Sequence, residues 1–288
     1  MIVSASYRTD IPAFYAPWFR ARLAAGWCRV ANPYGGPAYT VRLNQADGFV
    51  FWTRNAAPFL DVLDGLAARA TPFVVQYTIT GYPRPLEAAV PPAARAVAVF
   101  RALAARHGPR AAVWRYDPIL VSDPTPPDWH RANVAALAAA LEGATDEVVV
   151  SFAQLYRKSV RNLDAAARRS GFAYADPPED GKRALLADLV PIVARHGMRL
   201  SICSQPALAV PGAAPARCID ADRLADVAGR AVAARRKGNR PGCACFESRD
   251  IGAYDTCPHG CAYCYAVAGR ARAQARLKAH DAAAEALA

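Results

Sequence analysis

Residues 49–79 read FVFWTRNAAPFLDVLDGLAARATPFVVQYTI. Two short apolar runs, 49–53 and 73–79, enclose a stretch at 56–69 in which apolar residues recur at helical spacing. Short apolar runs that lack polar alternation are typical of strands buried on both faces, as in a parallel sheet. The segment therefore predicts a strand, a helix and a second strand parallel to the first.

The same pattern recurs through the first two hundred residues. Further strands are predicted at 2–6, 111–115, 148–152 and 199–203, and further helices at about 12–25, 92–107, 127–142, 158–170 and 182–196. Extended runs at 28–32 and 39–43 flank a PYGGP turn. Six or so units in about 200 residues predict an α/β fold built as a complete or partial (β/α) TIM-type barrel. An open doubly wound sheet is the alternative.

Composition narrows the class of protein. Apolar residues make up 53% of the 288 residues and charged residues 20%, which is enough to build a core. No stretch approaches the roughly 18 uninterrupted apolar residues of a membrane span, and the start lacks the features of a signal peptide, so we expect a cytoplasmic protein with no membrane partner. The net charge of +11 suits nucleic acid or an anionic ligand, although the Arg residues are dispersed.

The chain divides by composition into two parts. Residues 1–230 are predicted to form the barrel body, and residues 231–288 a cysteine-rich loop and a C-terminal helix packed on it. That helix is predicted to run from about Tyr263 onward. It is either a solvated helix or one that docks on the body, or it uses Arg270, Arg272 and Arg276 to contact nucleic acid.

Polar side chains follow several predicted strands at their carboxyl ends, where the ligands of β/α folds bind. Any one of them has a simpler explanation, because Thr and Asn cap helices and an Arg–Asp pair forms on a rim. Together they favour a binding mouth. The candidates for holding a cofactor or substrate are Thr53, Asn55, Thr78, Thr80, Arg115 and Asp117.

Eight cysteines point to metal or redox chemistry, since seven lie in the last third of the chain. Cys257, Cys261 and Cys264 form a C-x3-C-x2-C loop. Three thiolates suit a [4Fe–4S] cluster with one iron left open. A zinc site is the alternative, with His259, or Cys243 and Cys245, completing the ligands.

The loop, TCPHGCAYCYA, has an aromatic residue, Tyr263, just before its last cysteine. It resembles the cysteine loop of radical S-adenosylmethionine enzymes, and in particular that of the spore photoproduct lyase-like branch. The strand end TRN at 53–55 and the segment TIT at 78–80 followed by Glu87 are similar to segments of the same branch. The whole chain resembles the bacterial family called domain of unknown function 1848. That likeness rests on SASYRTDIPAFY, VFWTRN, QYTITGYPRPLE, VWRYDPIL, CSQP, CID and CACFESRDIGAYDTCPHGCAYCYA.

The resemblance implies a radical enzyme acting on an unknown substrate. Cys257, Cys261 and Cys264 would bind three irons of a [4Fe–4S] cluster, S-adenosylmethionine would chelate the fourth, and Tyr263 would lie near the adenine. An electron donor such as flavodoxin or ferredoxin is implied. Enzymes of this kind usually carry the loop after their first strand, so its place near the C-terminus implies a circularly permuted barrel. The alternatives are a non-catalytic zinc- or iron–sulfur-binding protein and a nucleic-acid-modifying or repair enzyme.

Four cysteines outside the triad suit an auxiliary [4Fe–4S] cluster or a zinc ion. They are Cys203, Cys218, Cys243 and Cys245. The alternative is that Cys203 is a small buried residue at a strand end and that Cys218 is likewise incidental. Cys28 is predicted to be structural.

Overall fold

The computed structural model describes residues 1–33 and 35–288; Tyr34, in the predicted PYGGP turn, lies outside them. The strands of the described chain are β1 (Ile2–Ala5), β2 (Trp27–Val30), β3 (Tyr39–Arg42), β4 (Gly48–Thr53), β5 (Phe73–Thr78), β6 (Ala112–Ile119), β7 (Val121–Ser122), β8 (Glu147–Phe152), β9 (Tyr174–Ala175), β10 (Arg199–Ile202), β11 (Ala214–Pro215) and β12 (Ser248–Asp250). All six main predicted strands are confirmed, and the two extended runs predicted at 28–32 and 39–43 form the antiparallel pair β2–β3.

Helices separate most of these strands. They are α1 (Ile11–Phe14), α2 (Ala16–Ala25), α3 (Leu60–Ala68), α4 (Ala93–His107), α5 (Pro127–Leu141), α6 (Arg157–Ser170), α7 (Glu179–Ala194), α8 (Ala221–Ala228) and α9 (Arg270–Ala279). The helices predicted in the first two hundred residues are confirmed within a few residues at their ends, except that the helix predicted at 12–25 is divided at Tyr15 into α1 and α2. Among residues 1–33 and 35–288, no helix has the length and apolar character needed to cross a membrane.

Eight strands form one sheet in the order β11-β10-β8-β6-β5-β4-β1-β12, and every adjacent pair is parallel. The strands follow chain order from β1 to β11, and β12 is added on the free side of β1. The α/β class with a parallel sheet is therefore confirmed. Within the described chain no pairing joins β11 to β12, so a closed barrel is not shown.

The two faces of the sheet pack against different partners, since successive side chains of a strand point to opposite sides. Phe49, Phe51 and the residues of like parity in neighbouring strands pack against helices α1 to α5 and α7. Val50, Val74 and their counterparts face α8 and the segment before β12 instead. This second face turns polar toward the carboxyl ends of the strands, at Gln76, for example. A third apolar cluster joins α6 to the segment after β5 and to the cysteine loop.

The C-terminal helix is shorter than predicted. It begins at Arg270 rather than near Tyr263, because the backbone of the preceding residues holds the cysteine loop: Asp255 N donates to Ala266 O over 3.0 Å. It ends at Ala279, and the last residues run back over the N-terminal part of the chain. There Trp18 Nε1 donates to the carbonyl oxygen of Ala284 over 2.9 Å.

Candidate functional site

The cysteine loop leaves the carboxyl end of β12 and crosses the segment that follows β5. The Ala262 amide donates to Leu86 O over 2.9 Å, and the Ala89 amide donates to His259 O over 2.9 Å. These backbone bonds place Cys261 opposite Glu87 in an antiparallel bridge. The loop is therefore held over the carboxyl ends of the parallel strands.

The three thiols of the loop are half-buried and reduced. Burial raises the pKa of all three, to about 12 for Cys261. Asp10 and the other two cysteines raise the pKa of Cys257 further, so the three sulfurs lie close enough for their charges to interact. Without a cation the thiols keep their protons at neutral pH.

A buried ion pair underlies the loop. Arg54, directly after β4, donates from Nη1 to Glu87 Oε1 over 2.7 Å and from Nη2 to the Tyr263 hydroxyl over 2.6 Å. Thr80 Oγ1 donates to the same Glu87 oxygen over 2.6 Å, and the Tyr263 hydroxyl donates to it as well. Burial alone lowers the pKa of Arg54, but Cys261, Glu87 and Tyr263 outweigh it and raise that pKa well above its usual value. The predicted residues Thr80 and Tyr263 are thus brought together.

A second carboxylate, Asp10, connects the loop to the turn after β1. His259 Nε2 lies 2.8 Å from Asp10 Oδ2, and the Arg54 amide donates to the same oxygen over 2.8 Å. His259 Nδ1 lies 3.4 Å from Ala89 O, and the ring packs edge-on against Phe14. Both ring nitrogens of His259 therefore face oxygen atoms, not the thiols that it would join in the alternative zinc site.

The three arginines of α9 hold the loop from outside. Arg270 Nε donates to Pro258 O over 3.1 Å, and Arg276 Nη1 donates to Tyr254 O over 2.9 Å. Arg272 pairs with Asp255 at 3.5 Å. The side chains proposed to contact nucleic acid are thus engaged with the cysteine loop.

A further group of polar side chains lies on the inner face of the sheet, the face that carries Val50, Val74 and Gln76. Arg115 donates to Gln76 Oε1 over 3.1 Å and to Asp117 Oδ2 over 2.5 Å. Ser151 Oγ donates to the other Asp117 oxygen. Thr78, half-buried at the end of β5, has the same parity as Gln76 and so lies on this face.

The predicted residues Thr53 and Asn55 act locally. The Asn55 amide donates to Thr53 Oγ1 over 2.9 Å, and the Ala57 amide donates to Asn55 Oδ1 over 3.2 Å. Thr53 also has the parity of Phe49 and Phe51, which point toward the helices. The structure therefore places these two side chains in a strand-to-helix turn, apart from the network of Arg54.

The remaining cysteines fall into two environments. Cys28 is fully buried in the β2–β3 hairpin. The other four lie together beyond β10 and β11, where Cys203 Sγ is 3.5 Å from Cys218 Sγ and a bond from Cys245 lowers the pKa of Cys243 to about 5. In residues 1–33 and 35–288, no three or more His, Cys, Asp and Glu side chains form a ready-made metal site, so a metal bound by either group of cysteines has to draw its ligands together.

Sequence reasoning missed the most heavily hydrogen-bonded carboxylate of the region, Asp250 at the end of β12. It accepts from Ser4 Oγ at 2.5 Å, Ser6 Oγ at 2.8 Å and Arg8 Nε at 2.9 Å. The Tyr7 and Gly252 amides donate to it as well. In the sequence, SASYR at 4–8 and SRD at 248–250 are polar where apolar strand residues are expected. Neither segment by itself indicates that it pairs with the other.

Comparison with known proteins places this architecture in a family. A family model described as domain of unknown function (DUF1848) matches residues 2–266. The chain belongs to the DUF1848 family. Neither the search of curated proteins nor the search of solved structures found a match. The DUF1848 match includes all eight strands of the sheet and every cysteine, and it ends before α9.

Proposed function

We propose that this DUF1848 chain is a radical S-adenosylmethionine enzyme. The observation that carries the proposal is the position of the three-cysteine loop: it follows β12, at the carboxyl end of a parallel sheet, next to β1. Ligands of β/α folds bind at that end.

We further infer that the sheet is a circularly permuted, incomplete or complete barrel of this enzyme class. Starting from β12, the strand order is β12, β1, β4, β5, β6, β8, β10 and β11, which follows the chain once its end is joined to its beginning. The cysteine loop then follows the first strand, as the resemblance implies. A ring of β-α units tolerates such a cut because chain termini usually lie at the surface and often close together.

The donor set fits a [4Fe–4S] cluster with one open iron. Cys257, Cys261 and Cys264 would bind it, since they lie in one loop at residues 257–264 and their protons are displaced when a cation binds. When bound, the cluster supplies the electron that cleaves S-adenosylmethionine to a 5′-deoxyadenosyl radical. Beside Asp10, the Thr9 hydroxyl is buried without a protein hydrogen-bond partner, which is what a bound ligand or water satisfies.

The chain's own contribution is orientation and exclusion of water. The Arg54–Glu87 pair and the Tyr263 hydroxyl set the position of the loop, and α6 covers it with apolar side chains. Thr78, Arg115 and Asp117 line the polar inner face and are the side chains we propose to contact S-adenosylmethionine or substrate. Thr80 would act through Glu87.

Two alternatives find less support. Closing the triad with zinc through His259 requires breaking its contact with Asp10. A nucleic-acid surface on α9 requires releasing Arg270 and Arg276 from the loop carbonyls.

The test is anaerobic purification followed by iron, sulfide and zinc analysis, with electron paramagnetic resonance of the reduced protein. We expect about four irons per chain and a signal that S-adenosylmethionine perturbs. The Cys257/Cys261/Cys264→Ala variant should lose the iron and S-adenosylmethionine cleavage, whereas Cys28→Ala should keep both. Zinc without iron after reconstitution would overturn the proposal.

A further inference from the structure

The four cysteines outside the triad come from three separated parts of the chain and meet at the open side of the sheet. Cys203 follows β10, Cys218 lies between β11 and α8, and Cys243 and Cys245 precede β12. Strands β11 and β12 are the two unpaired ends of the sheet. The cluster therefore lies where the sheet is not joined by hydrogen bonds.

Contacts between neighbouring segments bring the four thiols into one place. Cys203 Sγ lies 3.5 Å from Cys218 Sγ, and the Ile219 amide, next to Cys218, donates to Cys245 Sγ over 3.4 Å. Beside Cys243, a Cβ atom at Gly242 would lie 3.7 Å from the carbonyl oxygen of Ser204, the neighbour of Cys203. None of them forms a disulfide. Cys243 is half-buried and the other three are buried. Four thiols from three distant segments of the chain therefore meet at one place.

The surroundings suit a negatively charged centre. Arg115 Nη1 donates to Cys218 Sγ over 2.9 Å, and Arg240 Nη2 donates to Cys203 Sγ over 3.7 Å. The Ile219 amide donates to Cys245 Sγ over 3.4 Å. Apolar side chains enclose the rest: Val74, Ala216, Leu224 and Phe246. Two guanidinium groups beside four sulfurs offset the double negative charge that four thiolates and a divalent ion carry.

The backbone before the pair Cys243 and Cys245 is folded tightly around it. A Cβ atom at Gly238 would lie only 2.3 Å from the carbonyl oxygen of Cys243. The Cys245 carbonyl accepts from the Lys237 amide over 3.0 Å. This close approach of backbone to backbone holds two of the four sulfurs in one turn.

We propose that Cys203, Cys218, Cys243 and Cys245 bind one structural zinc ion. A tetrahedral ion with Zn–S bonds of about 2.3 Å brings its sulfurs to about 3.8 Å from one another, close to the 3.5 Å between Cys203 and Cys218. A cubane cluster instead places each thiolate on a different iron, which sets the sulfurs wider apart. Binding draws the four thiols together, forms four metal–thiolate bonds and releases the protons. The ion links the β10–β11 side of the sheet to the segment that leads into β12.

The test compares metal content in full-length variants purified anaerobically with iron and zinc supplied. The wild type should hold about one zinc per chain that is independent of the triad. Cys218→Ser should lower that zinc roughly tenfold and leave the triad's iron unchanged. The Cys257/Cys261/Cys264→Ala variant should keep the zinc, and Cys28→Ala should keep both metals.

Zinc loss in Cys218→Ser could also result from misfolding, so a second measurement uses bound cobalt as a spectroscopic probe of the site. Wild type loaded with Co²⁺ should give the intense thiolate charge-transfer absorption of a four-sulfur tetrahedral site, and Cys243→Ser, at the half-buried position, should weaken it by about a quarter. About eight irons and no zinc, zinc that survives Cys218→Ser, or a Cys203–Cys218 disulfide in the native protein would each overturn the proposal. If the wild type held no iron and zinc were lost in Cys218→Ser but not in the triad variant, the radical-enzyme function would be refuted and the zinc site would be supported.

Discussion

Two buried histidines differ in the hydrogen-bond partners of their ring nitrogens. His259 lies against the carboxylate of Asp10. His130 is fully buried with no carboxylate beside it: its Nδ1 is 2.8 Å from the Tyr116 hydroxyl and its Nε2 is 3.1 Å from Leu120 O. A neutral ring, donating from Nε2 and accepting at Nδ1, satisfies both contacts. Burial lowers the pKa of His130 to about 4.

His130 should make the protein sensitive to mild acid. The unfolded chain takes up the proton at an ordinary pKa of about 6.5 and the folded chain only near 4, so stability present above pH 6.5 is lost as the pH falls toward 4. The free energy of unfolding should drop by about 2 to 3 kcal/mol more in wild type than in His130→Gln between pH 7.5 and 4.5. Urea unfolding at both pH values measures this.

A matched control for that experiment lies on the same helix. Val134→Ala removes buried apolar atoms from α5 without changing a titrating group. It should lower stability at both pH values and keep the wild-type pH dependence. Equal pH dependence in His130→Gln and Val134→Ala would contradict the prediction.

At the scale of elements, the cysteine loop is held from three sides. The segment after β5 pairs with its backbone, Arg54 and Glu87 lie beneath Tyr263, and α9 holds its carbonyls through Arg270 and Arg276. A short loop rich in small residues has little core of its own, so its conformation depends on these neighbours.

Gly260 is the point at which this arrangement is tightest. Its φ is +73°, and a Cβ there would lie 2.7 Å from Arg270 Cδ and 3.2 Å from Ala88 Cβ. Gly260→Ala should therefore cost about 1 to 2 kcal/mol of stability. It should also lower the iron retained after desalting several-fold. Urea unfolding and iron analysis measure the two effects.

Gly65, inside α3, provides a control of opposite sign. It has nothing within 4 Å of its Cβ position, so Gly65→Ala should stabilise the protein by about 0.5 to 1 kcal/mol through helix propensity. If Gly260→Ala were as stable as wild type and held its iron, the account of the loop would be wrong.

At the scale of the whole molecule, the N-terminal strand pairs with a strand near the C-terminus. β12, near the C-terminus, pairs with β1 at the N-terminus, and Asp250 accepts from Ser4, Ser6 and Arg8 across that junction. Both members of the Arg8–Asp250 ion pair are buried. A buried charge left without its partner costs far more than a surface pair contributes.

Asp250→Asn should therefore destabilise the whole protein by about 3 to 5 kcal/mol, because Arg8 keeps its charge in a buried site. The exposed pair of Arg217 and Asp222 offers the comparison: Asp222→Asn should cost at most about 1 kcal/mol. Chemical unfolding gives both values, and hydrogen exchange at β12 amides should rise only in Asp250→Asn. Equal stability of the two variants would refute the role of the junction.

The sequence by itself determined the α/β class, the six main strands and their helices, because apolar periodicity is a local property that each segment carries alone. It also identified the cysteine loop and, within it, Tyr263. It did not show which of the polar residues at the strand ends join the network at the cysteine loop. Thr80 joins the network of Glu87, whereas Thr53 and Asn55 serve a turn, and that difference depends on which face each side chain takes.

Only the tertiary structure decided what the two ends of the chain do. β12 has three residues, Ser248–Asp250, and no apolar run, so nothing local marks it as a strand; its place beside β1 comes from Asp250 and the residues that surround it. The four clustered thiols and the hold of α9 on the loop likewise join segments far apart in sequence. Such contacts arise when the whole chain packs, because the groups that satisfy one another lie on different elements.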